Sequence, residues 1–167
     1  MILKDNIHIL RPVSDLDYYD ARSVLLPVAA QPLAAWNLIM SEPQWVLRAA
    51  FWLRDAISAR FGVKRIGGFT SMRKENVQIG DRLDFFLVEH AAPDVLVLTE
   101  RDRHLDVMTC LSTSGRTLTV TSSVITHNAF GRAYMLPVGP AHKLIVNNML
   151  RRLKRALETA NPQPAGS

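Results

Sequence analysis

The spacing of apolar and polar positions changes along the chain, and the changes divide it into elements. Arg116–His127 alternates every second residue, with Leu118, Val120 and Val124 set against Thr117, Thr119, Thr121 and Ser123. That is the period of a strand buried on one face. Apolar runs at Asp94–Glu100 and His104–Ser112, and a weaker one at Leu83–Glu89, predict further strands. A two-residue turn at Ser114-Gly115 sets Leu111 opposite Leu118, Thr109 opposite Val120 and Leu105 opposite Val124, so leucine and valine share one face. The same register puts His104, Asp106, Met108 and Cys110 on the other face. Gly131-Arg132-Ala133-Tyr134 is expected to be extended. The period then becomes helical from near Pro140 to about Ala160, with Ile145, Val146, Met149, Leu150, Leu153, Ala156 and Leu157 on one stripe. Burying that stripe contributes up to ~9 kcal/mol.

Upstream, Arg22–Val28 reads as a short strand closed by Pro27, and Gln31-Pro32 opens a helix with Leu33, Trp36 and Met40 at helical spacing. Ser41-Glu42-Pro43-Gln44 has the form of a capping box and predicts a second helix. Its apolar face is Trp45, Ala49, Trp52, Leu53, Ala56 and Ile57, and Gly62 ends it. The order is therefore β-α-α-β-β-β-β-β-α. Grouped strands with a terminal helix indicate an α+β fold with an antiparallel sheet curved over that helix. Residues 1–160 form a single domain in this reading, and the Pro- and Gly-containing tail 161–167 is expected to be disordered.

Composition narrows the picture little. A chain of 167 residues with 48% hydrophobic and 21% charged residues is ordinary globular material. No basic start precedes an apolar run, so no secretory leader is expected, and no run is long enough for a membrane span. Cys110 has no partner for an internal disulfide, which fits a reducing cytoplasm. The net charge of +5 is scattered apart from Arg151, Arg152, Lys154 and Arg155. Those cations also complement the negative end of the last helix. No recognition helix or stacking platform for nucleic acid is present.

The best-placed polar cluster is Asp102, His104 and Asp106. A histidine beside carboxylates is held in one tautomer and made more basic, which suits general acid–base work. The plainer alternative is a charged hairpin turn with pairs across strands. Arg132 and Tyr134 share a side of an extended segment and are candidates for holding a carboxylate or phosphate; equally, Arg132 closes an ion pair with Asp106, the version favoured slightly. His142, in the first turn of the last helix, reads as a hydrogen-bonded core residue or a cavity ligand contact. Trp45 and Trp52 read as core anchors or cavity walls, and Met149 as part of the buried stripe facing a ligand. No metal site is expected, because ligands two apart on one strand face sit ~7 Å apart. No cofactor is expected either. Gly67-Gly68 lacks the spacing of a phosphate loop, and Ser122 and Ser123 lie in no nucleophile elbow.

Three stretches together resemble the bacterial domain-of-unknown-function family twenty-eight sixty-seven: Asp102-Arg103-His104-Leu105-Asp106-Val107, His127-Asn128-Ala129-Phe130-Gly131-Arg132-Ala133-Tyr134, and Pro140-Ala141-His142-Lys143. The resemblance covers about Asp17 to Arg155. It implies membership of the START-like, polyketide-cyclase-like helix-grip superfamily, with a cavity between sheet and terminal helix and two short helices after the first strand. It also implies a working association with a short-chain-dehydrogenase-like protein, a module not expected within these 167 residues. Val107 and Ala141 replace larger aromatic residues of the pattern, which enlarges or reshapes the cavity. Three functions compete: a binding module for a small apolar or amphipathic molecule, a cyclase- or hydrolase-type enzyme using His104 with Asp102 or Asp106, and an anionic-partner surface on the basic helix. The first is the leading expectation.

Overall fold

In a computed structural model, residues 1–2, 6–41 and 73–161 are described. The predicted second helix, with Trp45 and Trp52, lies outside these residues, as does most of the tail. The described elements are β1 (Tyr18–Leu25), α1 (Pro32–Ser41), β2 (Arg82–Leu83), β3 (Phe86–Ala92), β4 (Val95–Arg101), β5 (Leu105–Ser114), β6 (Thr117–Thr126) and α2 (Ala129–Ala160). The six strands form one antiparallel, curved, open sheet in the order β1-β6-β5-β4-β3-β2. β2 to β6 run as a meander, and β1 pairs with the free side of β6. The expected α+β architecture is the one observed.

Alternation decides which side chains meet the helices. Leu96 and Leu98 of β4, Leu111 of β5, and Leu118 and Val120 of β6 face inward. They pack against Trp36, Ile39 and Met40 of α1 and Val146, Leu150 and Leu153 of α2. The centre of the expected ridge, Val146, Leu150 and Leu153, is thus buried as its period requires, with Ile145, Met149 and Leu157 partly buried at its edges, whereas Ala156 is exposed. The outer face is also covered. Val95, Val97, Met108 and Cys110 form a second cluster beneath Leu10, and the amide of His8 lies 3.3 Å from the Cys110 sulfur. Burial on both faces explains why Val95–Leu98 reads as an unbroken apolar run. The weakly patterned first dozen residues gave no sign of this role.

Four local expectations are corrected. The β5–β6 hairpin turns at Gly115-Arg116, pairing Ser114 with Thr117, so Leu111 meets Val120 and Val107 meets Val124. Gly115 takes φ +58 at the first central position, where glycine is favoured. The slip is two residues, so the faces within β5 stay as assigned, whereas His104, just before β5 begins at Leu105, turns into the cavity rather than to the outer face. The Leu83–Glu89 run splits into β2 and β3 around Asp84-Phe85, with Asp84 at φ +57. β1 begins at Tyr18 rather than Arg22, because its inward positions Tyr18, Asp20 and Arg22 are polar and hide the strand pattern. The largest correction is α2. It starts at Ala129, well before Pro140, and carries Pro137 and Pro140 inside it. The Asn128 side chain accepts from the Gly131 amide at 3.0 Å and supplies the N-cap. Tertiary packing holds the helix through two residues that normally end one.

Candidate functional site

Starting α2 at Ala129 aligns four residues at four-residue spacing, Phe130, Tyr134, Val138 and His142, on one helix face. With Met135 they form one wall of a cavity of about 160 Å³. The opposite wall is the inner face of the sheet, with Leu105 and Val107 of β5, and Ser122 and Val124 of β6. Tyr18 of β1 closes one side, and Phe85 and Phe86 of the β2–β3 hairpin line another. Glu100, Asp102 and His104, around the β4–β5 turn, complete it. The walls are mainly apolar and aromatic, with polar groups gathered at two places.

The first polar group is centred on His142. Its Nδ1 lies 3.3 Å from the Tyr18 hydroxyl and its Nε2 lies 3.4 Å from Ser122 Oγ. The Tyr18 hydroxyl donates to the Gly139 carbonyl at 3.2 Å. The set is self-consistent when His142 carries its proton on Nδ1, donating to Tyr18, while Nε2 accepts from Ser122. Burial holds the His142 imidazole below its ordinary range, with Asp20 opposing the shift and Arg22 adding to it. Burial, helped by Asp20, pushes the Tyr18 phenol up to about 12. A Cβ on Gly139 would come within 3.1 Å of the Tyr18 ring, so glycine there lets helix and strand approach closely. The neighbouring cation is engaged: Arg22 meets Asp20 through Nε at 2.9 Å and through a terminal nitrogen at 3.1 Å, and Asn147 Oδ1 at 3.0 Å.

The second polar group is a structural knot at the β4–β5 turn. One oxygen of Asp102 accepts from the amides of His104 at 2.6 Å and Leu105 at 2.9 Å. The His104 ring meets Asn128 Oδ1 at 3.2 Å through Nδ1 and the Arg103 Nε at 2.9 Å through Nε2. Its carbonyl accepts from the His127 amide at 2.8 Å. Gly131 sits against that carbonyl so closely that a Cβ would fall 2.3 Å from the oxygen.

This geometry sorts the residues singled out from the sequence. His104 and Asp102 line the cavity, but the His104 ring is engaged by Asn128 and Arg103 rather than by a carboxylate. Asp106 lies on the outer face and pairs with His127 at 3.0 Å. The expected Arg132–Asp106 pair is therefore replaced by His127–Asp106. Arg132 is exposed on α2, and because the segment is helical rather than extended, Arg132 and Tyr134 point in different directions. Tyr134 and His142 both face the cavity. Met149, expected to face a ligand, is not among the cavity-lining residues and packs against the core two turns beyond His142. Among the described residues, no group of three or more histidines, cysteines or carboxylates is arranged to hold a metal ion. Tyr18 was missed because β1 was begun too late, and Phe130 and Val138 because the helix was. The four-residue spacing to His142 was the signal available.

Sheet, long terminal helix and the cavity between them define an α+β protein of the helix-grip type. Residues 12–149 match the family model described as "Protein of unknown function (DUF2867)", and the chain belongs to that family. No curated protein and no solved structure matches it. Among the described residues no helix is long and apolar enough to cross a membrane.

Proposed function

We propose that the chain is a binding module that takes a small apolar or amphipathic molecule into the cavity between the sheet and the first half of α2. One observation carries this reading: the helix face Phe130–Tyr134–Val138–His142 stands off from Val107 and Val124 and leaves about 160 Å³ between them. Farther along the same helix, Val146, Leu150 and Leu153 are buried in the core. Concave, mostly apolar sites with a few convergent polar groups are the usual form of small-molecule sites. An apolar cavity of roughly 150 Å³ is large enough to take up benzene.

The test is fluorine NMR of fluorobenzene with the whole chain, alongside native mass spectrometry of the protein as purified. Saturable broadening or a shift of the fluorine signal supports the reading. Val138→Trp fills the cavity from the helix side and Val107→Trp from the sheet side, and each should abolish the effect while far-UV circular dichroism stays unchanged. Absence of uptake by the unaltered chain, together with no retained mass, overturns it.

A further inference from the structure

The geometry points to a ligand that is an uncharged alcohol about the size of one six-membered ring, its hydroxyl seated between Ser122 and His142. This rests on the binding reading above and goes beyond it by fixing the chemistry of the polar end.

Three observations combine. The first is that the His142 end offers both a donor and an acceptor. The Ser122–His142 contact, at 3.4 Å, is at the long limit for a hydrogen bond, so little is lost when it is exchanged. A ligand hydroxyl placed there accepts from Ser122 and donates to His142 Nε2, while Tyr18 keeps His142 oriented from the other nitrogen at 3.3 Å. A carbonyl satisfies only half of this arrangement and leaves the buried Nε2 without a donor.

The second is the sign of the surroundings. The charged side chains lining the cavity among the described residues are Glu100 and Asp102, both acidic. Arg22, whose charge acts on His142, is held by two contacts to Asp20 and one to Asn147, and Lys143 Nζ lies over the Tyr18 ring, 5.9 Å from its centroid. A carboxylate or phosphate entering here meets acidic groups and no lysine or arginine among the described lining residues. Asp20 itself is only 9% exposed and already paired with Arg22, so that pair adds no net charge at the His142 end.

The third is size. About 160 Å³ holds one ring and little more. Phe130 and Tyr134 on one side and Val107 and Val124 on the other give that ring apolar contacts on both faces.

The experiment titrates three ligands of one ring size into the full chain by ligand-detected NMR: cyclohexanol, methylcyclohexane and cyclohexanecarboxylate. Cyclohexanol should bind, and the carboxylate should bind at least tenfold more weakly. The decisive quantity is the ratio of cyclohexanol to methylcyclohexane affinity. Ser122→Ala should lower that ratio about fivefold, the size of one net hydrogen bond. His142→Phe should lower it as much, and it serves as the second variant if Ser122→Ala does not fold. A carboxylate that binds as tightly as the alcohol overturns the inference. So does a ratio unchanged in the folded variants. Both outcomes leave the cavity reading standing, because methylcyclohexane still binds. Failure of all three ligands instead removes the cavity reading itself.

Discussion

The two halves of α2 face the same sheet and do opposite things. From Ala129 to His142 the inward positions recur every four residues, carry rings and a short valine, and leave an opening. From Lys143 onward, Val146, Leu150 and Leu153 alternate spacings of four and three, follow the true helical period and are buried in one cluster with Leu111, Leu118 and Val120. The difference teaches that a helix can seal one end of a sheet and spare the other without a break. The prolines and Gly139 sit at the change from one regime to the other. Gly139 draws the helix against Tyr18 there, so the boundary between core and cavity is marked by a close approach.

That contrast can be broken most sharply by truncation. Leu150 is 4% exposed in the filled half, and Leu150→Ala should cost roughly 2–5 kcal/mol in denaturant unfolding. Val138→Ala, on the cavity side, should cost less than half as much, because its methyl groups border space already present. Equal costs would mean that the two halves are packed alike. Gly131→Ala comes next. Its new methyl has to displace the His104 carbonyl, and overpacking of this kind costs roughly 1–3 kcal/mol. An unchanged melting temperature would show that the turn yields freely.

Smaller effects sharpen the picture. Tyr18→Phe removes the hydroxyl that meets Gly139 and His142, and should cost about 1 kcal/mol at neutral pH. Tyr18 also has an alkaline signature. Its phenol stays protonated in the fold to about 12, while the unfolded chain releases that proton near 10. Stability therefore falls as pH rises from 10 towards 12, and Tyr18→Phe should flatten that fall in urea titrations. His142 has the reverse sign. Its folded value lies below the ordinary 6.5, so the unfolded chain binds the extra proton first, and stability is lost as pH drops below 6.5. His8 is lowered too, mainly by burial, so His142→Gln should remove only part of the acid loss. An acid limb identical in that variant would assign the effect elsewhere. At the far end of the scale, Arg155→Ala on the exposed side of α2 should stay within about 0.5 kcal/mol.

The sheet and the terminal ridge were legible in the sequence because burial on one face writes a period. Arg116–His127 and the Val146–Leu150–Leu153 stripe obey their periods closely. The hairpin register slipped by two residues because Ser-Gly and Gly-Arg are both acceptable turns and alternation is blind to an even shift. The site was less legible for a physical reason. Its residues violate the rules that reveal elements: Tyr18, Asp20 and Arg22 put polar groups on an inward strand face, and Pro137 and Pro140 lie inside a helix. Asn128, Phe130, Tyr134 and His142 held the missing information, but only once Asn128 is taken as a cap. His104 drew attention through its neighbouring carboxylates, whereas space links it to Asn128 and Arg103.

Cys110 has a use that follows from its position. It is fully buried under the opening segment of the chain, its sulfur 3.7 Å from the Asn6 carbonyl, and burial pushes its thiol up. A thiol so placed reacts only when the covering segment lifts. Since it is the sole cysteine, the rate at which an alkylating reagent consumes it is a clock for that one local opening, readable by mass without any label.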